Sequence, residues 1–277
     1  MKPLKALFNF YLNSSIHVAL SLTALVLVTG IQIEKQLEQQ LLYFVFFATI
    51  TGYNFVKYFG LAKFHHRSLA TWLKVIQIFS FICIGFMGYF ALQLQFESLV
   101  FLAVLGSITF LYAIPLIPKR HFIDEHQNLR NIGGLKIYII ALVWALVTVG
   151  LPVLETASSL TWDVIICGIQ RYLLVVVLML PFEIRDLNYD SIKLATLPQT
   201  IGIKKTKAIG ALVLILFFML EFFKDELDVS TILSSLILIC ITLFFLLFSK
   251  KEQSGYYSAF WVEAIPIFWL ALIVMLG

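Results

Sequence analysis

The stretch from Pro181 to Asp190 reads Pro-Phe-Glu-Ile-Arg-Asp-Leu-Asn-Tyr-Asp and sets three carboxylates at the end of a long apolar run. Spacings of three and four put Glu183, Asp186 and Asp190 on one face of a helix. Carboxylates this close repel one another, and beside a membrane they are costly unless a cation or a cationic side chain compensates them. Mg²⁺ is commonly held by one or two carboxylates while phosphate oxygens of a substrate fill its other positions. An exposed acidic cluster beside basic residues therefore suits a divalent metal and a diphosphate, and Arg185, Lys193, Lys204 and Lys205 supply the basic surrounding. Taken alone, the same acids read more readily as a solvated loop that neutralises its neighbours, because loop charges of that kind are common.

The elements that must carry these residues are membrane helices. With 277 residues, 61% hydrophobic content, 13% charged residues and a mean hydropathy of +0.95, the chain is far too apolar for an ordinary soluble domain. Apolar runs long enough to cross a bilayer occur near 15–32, 41–59, 72–92, 96–117, 134–152, 162–182, 207–223, 230–248 and 257–276. The expectation is an all-α polytopic bundle of about nine transmembrane helices, forming a single domain over residues 1–277. The first run follows a basic start with no small-residue cleavage site before it, so it reads as a retained span.

Charge gives the orientation. Of the 20 Lys and Arg, 17 fall in one alternating set of connections, only Lys35 and Lys224 fall in the other, and Arg171 lies within a span. The positive-inside rule then expects the N-terminus in the cytoplasm, the C-terminus outside and the acidic stretch facing the cytoplasm. A compact bundle of this kind suits a bacterial inner membrane. The longer mixed-polarity connections near 60–71, 118–133 and 183–206 all fall on that same side, where function is to be sought. The scattered basic residues argue against nucleic acid as a partner. Cys83, Cys167 and Cys240 sit in apolar stretches without metal-ligand spacing and read as packing residues.

The sequence Glu-Ile-Arg-Asp-Leu-Asn-Tyr-Asp, followed by Thr196, Leu197, Pro198, Ile201 and Gly202, resembles the second acidic signature of the UbiA superfamily of intramembrane prenyltransferases. Glu183 stands at the first acidic position of that signature, and Asp186 and Asp190 match the other two. A second match lies at the end of the fourth run, where Tyr112, Pro115, Lys119 and Arg120 fit a Tyr-x-x-Pro-x-x-x-Lys-Arg element, with Lys136 as the basic residue that opens the fifth helix. The resemblance implies Mg²⁺ held by Glu183, Asp186 and Asp190, which are also its implied catalytic residues. It implies a diphosphate gripped by Asn54, Lys57, Lys119, Arg120, Lys136 and Arg185, and transfer of a polyprenyl group to an aromatic or other small lipid-precursor acceptor.

One departure is large. Between the second and third spans the superfamily carries a first acidic signature, and here only Asn54 aligns with it. Phe55, Tyr58 and Ala62 stand at its carboxylate positions, and no Asp or Glu occurs from 51 to 71. Two readings follow. In one, Lys57, Lys63, His65, His66 and Arg67 neutralise the diphosphate directly, as basic side chains can. In the other, the protein binds a lipid or assists assembly without catalysis. The well-kept second signature favours the transferase. A secondary transporter ranks below both, because paired inverted repeats are not evident.

His65 and His66 are sequence neighbours, which point in different directions on a helix, and His121 and His126 lack metal-ligand spacing, so all four read as loop residues. Arg171 and Glu263 lie inside spans, where ionisable groups face the bundle interior or a cavity; they could pair, line a pocket or make structural contacts between helices.

Overall fold

The computed structural model describes residues 2–64, 71–113, 134–187 and 195–277. Its helices are α1 (Lys2–Asn13), α2 (Ile16–Gln32), α3 (Gln39–Phe64), α4 (Thr71–Ala91), α5 (Phe96–Ala113), α6 (Leu135–Ala145), α7 (Leu151–Glu155), α8 (Trp162–Asp186), α9 (Leu197–Ile201), α10 (Ile203–Glu221), α11 (Val229–Phe248) and α12 (Ile265–Leu276). A π-helical segment, Leu146–Gly150, joins α6 to α7 into one rod, and a second, Tyr257–Val262, leads into α12. No strand occurs among the described residues.

Helical rods coincide with all nine expected apolar runs. Five of them, Trp72–Ala91, Leu135–Glu155, Trp162–Asp186, Val229–Phe248 and Tyr257–Leu276, are long and apolar enough to cross a bilayer on their own composition. Inside a bilayer no water satisfies backbone amides, so a spanning chain keeps its hydrogen bonds within helices. The outer faces match: Phe81, Ile78, Tyr89 and Met275 are more than 60% exposed, a pattern that would aggregate in water and is at home in acyl chains.

The sequence alone does not reveal that the first rod is bent. α1 and α2 meet at 55° across Ser14 and Ser15. Ser15 holds a left-handed backbone, φ 64°, which stops α1 and starts α2.

The centre of the bundle is α2 and α8. α2 is rich in Ala, Val and Leu, and it buries Val18, Ala19, Leu22, Leu25, Val26 and Val28 against α3, α12 and the first π segment. α8 packs on α6, α10 and α11 and buries Leu174, Val175, Val177 and Leu180. At Gly210 of α10, an added Cβ would lie 2.5 Å from a Leu246 methyl and 2.8 Å from one of Leu180, so a larger residue would have to push both leucines aside where three helices meet closely. Among the described residues, contacts join the α1–α2 elbow to α3 and α4, the end of α3 to α5, the end of α8 to the second π segment, the start of α10 to the end of α11, and the start of α6 to the approach to α9, so these ends gather at one end, which holds the acidic stretch.

Candidate functional site

The site begins at the elbow between α1 and α2. Ser15 Oγ donates to Asn54 Oδ1 at 2.8 Å, and the same oxygen accepts from Lys57 Nζ at 2.9 Å. Asn54 Nδ2 donates to Ser14 O at 3.0 Å and to Ser80 Oγ of α4 at 2.8 Å. The Asn54 amide, only 4% exposed, is therefore tied to the elbow and to α4. Asn54 and Lys57 are one helical turn apart on α3 and share a face.

The second wall is the end of α8. This helix runs on through Pro181, whose missing N–H leaves one turn of the ladder open. Gln253 Nε2 donates to the Pro181 carbonyl at 2.9 Å and ties the α11 side to that turn. Glu183, one turn before Asp186, is fully buried, so the expected exposed cluster is in fact graded from a sunken Glu183 to a half-buried Asp186. Arg185 Nε donates to Asp186 Oδ1 at 2.7 Å, and its Nη1 donates to Ser258 Oγ of the second π segment at 2.9 Å. The guanidinium also lies 5.3 Å from the Phe182 ring centroid.

Glu263 follows the second π segment directly, and its carbonyl accepts from the Ser21 hydroxyl of α2. Arg171, the other charge within a span, is elsewhere. Its Nη1 donates to Leu25 O at 3.1 Å, its Nη2 to Thr29 Oγ1 at 3.2 Å and Gln32 Oε1 at 3.5 Å, and its guanidinium stacks 4.8 Å from the Trp269 ring. Arg171 and Glu263 do not pair; Arg171 makes the structural contact between helices.

Beside Asn54 and Lys57 lies an apolar cavity of about 230 Å³ between α2, α3, α5 and α6. Leu22, Phe44, Val45, Leu102, Ile140 and Val143 contribute to its wall, and Lys136 is the one charged lining residue among the described residues. Tyr53 joins the cavity to the head region: its hydroxyl accepts from Trp144 Nε1 at 2.7 Å in the cavity wall, and its ring lies 5.9 Å from Lys57 Nζ.

Of the expected residues, Asn54, Lys57, Lys136, Glu183, Arg185 and Asp186 are described, and all lie at this end of the bundle. Asp190, Lys119 and Arg120 lie outside the described residues, as do His65, His66, Arg67, His121, His126, Lys193 and the side chain of Lys63. Lys204 and Lys205 stand exposed on the first turn of α10. Among the described residues no three His, Cys, Asp or Glu converge as metal ligands. Glu183 and Asp186 still offer two carboxylates from one helix face, the number Mg²⁺ uses when a substrate completes its shell. The sequence reading missed Ser15 and Ser258, since a serine in an apolar chain carries no chemical signal until its partners are placed.

Two solved structures match this chain along its whole length. A digeranylgeranylglyceryl phosphate synthase superposes with a TM-score of 0.56 at 15% identity, covering 100% of this chain and 97% of that one. A UbiA homologue from Archaeoglobus fulgidus superposes with a TM-score of 0.54 at 12% identity, covering 100% and 99%. The fold is that of the UbiA proteins. No family model matches the sequence, and no curated protein does.

The residues at the positions of the expected first acidic signature have structural partners. Phe55 stacks on Phe110 of α5 with centroids 6.3 Å apart and planes at 14°. Tyr58 donates to the Asn13 carbonyl at 2.7 Å. Both residues hold helices together. The expected Thr-Leu-Pro and Ile-Gly elements form α9 and its exit: Gln199 Oε1 accepts from the Thr196 amide at 3.0 Å, and Gly202 at φ 83° turns the chain into α10.

Proposed function

We propose that this protein binds a polyprenyl diphosphate, with the tail in the apolar cavity and the diphosphate among Asn54, Lys57, Lys136 and Arg185, and transfers the prenyl group to a small lipid-precursor acceptor. The observation that carries the reading is Tyr53, which borders the apolar cavity on one side and the Lys57 ammonium on the other. A ligand with an apolar tail and an anionic head fits that junction. The UbiA-type fold supports it, since one of its two matches is a digeranylgeranylglyceryl phosphate synthase.

In the reaction, the bond between the allylic carbon and the diphosphate oxygen breaks, and the diphosphate leaves with the electron pair. The acceptor's nucleophilic atom then bonds to that carbon and gives up its proton. Lys57, Lys136 and Arg185 stabilise the charge that grows on the leaving group, and they act strongly because the neighbouring wall is apolar. The cavity keeps water from the allylic cation. Glu183, Asp186 and Asp190 would hold Mg²⁺, which supplies further neutralisation of the leaving diphosphate. Asn54, whose two amide hydrogens go to Ser14 and Ser80, holds the α3 side of the site in place. The positive-inside pattern supports placing this end of the bundle, and the N-terminus, in the cytoplasm, and a bacterial inner membrane fits.

A lipid-binding or assembly protein without turnover is the second reading, favoured by the packing roles of Phe55 and Tyr58. Release of inorganic diphosphate separates the two. Purified protein given a prenyl diphosphate, Mg²⁺ and a panel of phenolic, quinoid and glycerol-type acceptors should release diphosphate, and Asp186→Asn should lower that rate at least about a hundredfold. Binding with no release from any acceptor would favour the non-catalytic reading.

A further inference from the structure

We propose that the apolar cavity measures the prenyl tail: it takes about two to three isoprene units, and Phe101, seated on Gly150, closes its far end. The proposal rests on the prenyl diphosphate reading of the same site.

The cavity has a charged end and an apolar end. Lys136 lies in the first turn of α6, and Tyr53 of α3, whose ring is 5.9 Å from Lys57 Nζ, lines the same space. From Lys136 the wall runs along the rod through Ile140 and Val143 to Val147, and on α3 it runs from Tyr53 back through Thr49 to Phe44. Lys136 and Val147 are 11 residues apart in sequence. At a helical rise of 1.5 Å per residue, that wall is roughly 16 Å long.

Length and volume both point to a short tail. An isoprene unit adds four chain bonds, roughly 4–5 Å at an extended-chain advance of about 1.2 Å per bond. A wall of that length therefore matches about three units. An apolar cavity of about 150 Å³ holds one benzene ring, so on the same scale this one holds about nine carbons, or two units. The fitting tails are those of geranyl and farnesyl diphosphate.

The far end is closed by α5. Three residues beyond Val147 the π segment ends at Gly150, where an added Cβ would lie 3.1 Å from Phe101 Cζ, 3.6 Å from its Cε1 and 3.9 Å from its Cε2. The tip of the ring thus rests on the backbone of the rod. Leu102, the next residue of α5, lines the cavity. The start of α5 is clamped to the same rod: the Gln95 amide donates to Glu155 Oε1 at 3.0 Å, and Gln95 Nε2 donates to the Glu155 carbonyl at 2.8 Å. Toward the charged end α5 stands off from the rod, with the cavity between them from Leu102 to Thr109. A tail entering beside Lys136 therefore runs toward Phe101. A longer tail meets the ring, has to leave the cavity, and gains no further contact within it.

The test is binding of dimethylallyl, geranyl, farnesyl and geranylgeranyl diphosphates, and of inorganic diphosphate, to the purified full-length protein, comparing wild type with Phe101→Ala and Phe101→Leu. Ratios of variant to wild-type affinity cancel the partitioning of long tails into the surrounding lipid or detergent. Wild-type affinity should rise at least about tenfold from dimethylallyl to farnesyl and gain nothing more at geranylgeranyl. Phe101→Ala should bind geranylgeranyl diphosphate at least about fourfold more tightly than wild type, the worth of one further buried methylene, with geranyl and inorganic diphosphate unchanged. Phe101→Leu, the milder truncation, should shift the same way by less, and it carries the test if Phe101→Ala does not fold. Parallel chain-length profiles for wild type and variants, with inorganic diphosphate still bound, would overturn the proposal alone. An equal loss of affinity for every tail would also overturn it, leaving Phe101 as bundle packing. No binding of inorganic or prenyl diphosphate by wild type would overturn the diphosphate reading as well.

Discussion

Asn54 and Lys57 are joined through a single hydroxyl, that of Ser15, which donates to the first at 2.8 Å and accepts from the second at 2.9 Å. The link spans about 40 residues of sequence and makes the α1–α2 elbow part of the head site. A hydrogen bond to a charged group contributes about 1.5–3 kcal/mol, and a buried amide left without its partner costs about 1–3 kcal/mol. The elbow's shape and the site's geometry are therefore set together.

Ser15 tests that coupling, because two effects there can be separated. Its left-handed backbone costs any residue with a Cβ about 1–2 kcal/mol relative to glycine. Ser15→Ala loses the hydroxyl and keeps the strain, so both the melting temperature and prenyl diphosphate binding should fall, the latter about three- to tenfold. Ser15→Gly loses the hydroxyl and relieves the strain, so melting should recover while binding stays weak. Equal behaviour of the two variants in thermal melts and titrations would show that Ser15 acts through the backbone alone.

Gly52 tests the tail cavity. It lines the cavity, and a Cβ added there meets nothing within 4 Å. Gly52→Leu should gain helix propensity, about 0.8 kcal/mol, and fill the space. The melting temperature should hold or rise, affinity for a long-chain prenyl diphosphate should drop at least about tenfold, and affinity for inorganic diphosphate should not change. An unchanged affinity for the long chain would place the tail elsewhere.

Asp228 gives a pH signature at the opposite end of the bundle. It caps α11, accepting from the Thr231 amide at 2.9 Å, the Thr231 hydroxyl at 2.8 Å and the Ser230 hydroxyl. These donors, with Ser230 foremost, hold its carboxyl down at about 2, against an ordinary value of 3.8. A depressed acid stabilises the fold fully above its unfolded value. That contribution is lost as pH falls from about 4 through 2. Asp228→Ala should cost about 1 kcal/mol at neutral pH, and its melting curve should converge on that of wild type as the pH approaches 2. A constant offset across that window would contradict the cap.

The bundle was legible because hydropathy alone marks where helices cross: the nine apolar runs return as nine rods, with α8 found at Trp162–Asp186 against an expected 162–182. Less was legible where a local backbone choice decides the outcome. Nothing in Asn13-Ser14-Ser15-Ile16 announces a 55° bend, since serine is also tolerated within helices, and the π segments carry the same apolar residues as the α-helices around them. The site was half legible. Asn54, Lys57, Lys136, Glu183, Arg185 and Asp186 could be nominated by motif, whereas their partners Ser15, Ser80 and Ser258 come from other helices at separations of 26 to 73 residues. Arg171 and Glu263 look alike as intramembrane charges. Only their surroundings separate a guanidinium spent on α2 from a residue at the exit of a π segment.

The central claim is that one end of this bundle grips a prenyl diphosphate through both its cations and its acids. The most direct measurement is binding of prenyl diphosphates of several chain lengths to the purified protein, with and without Mg²⁺, for wild type, Lys57→Met and the double variant Asp186→Asn plus Asp190→Asn. The account predicts tight binding by wild type that strengthens with Mg²⁺, a loss of about tenfold or more in Lys57→Met, and no Mg²⁺ response in the double variant. Binding that ignores Lys57, the carboxylates and Mg²⁺ alike would contradict it and leave a bundle that holds only the apolar chain.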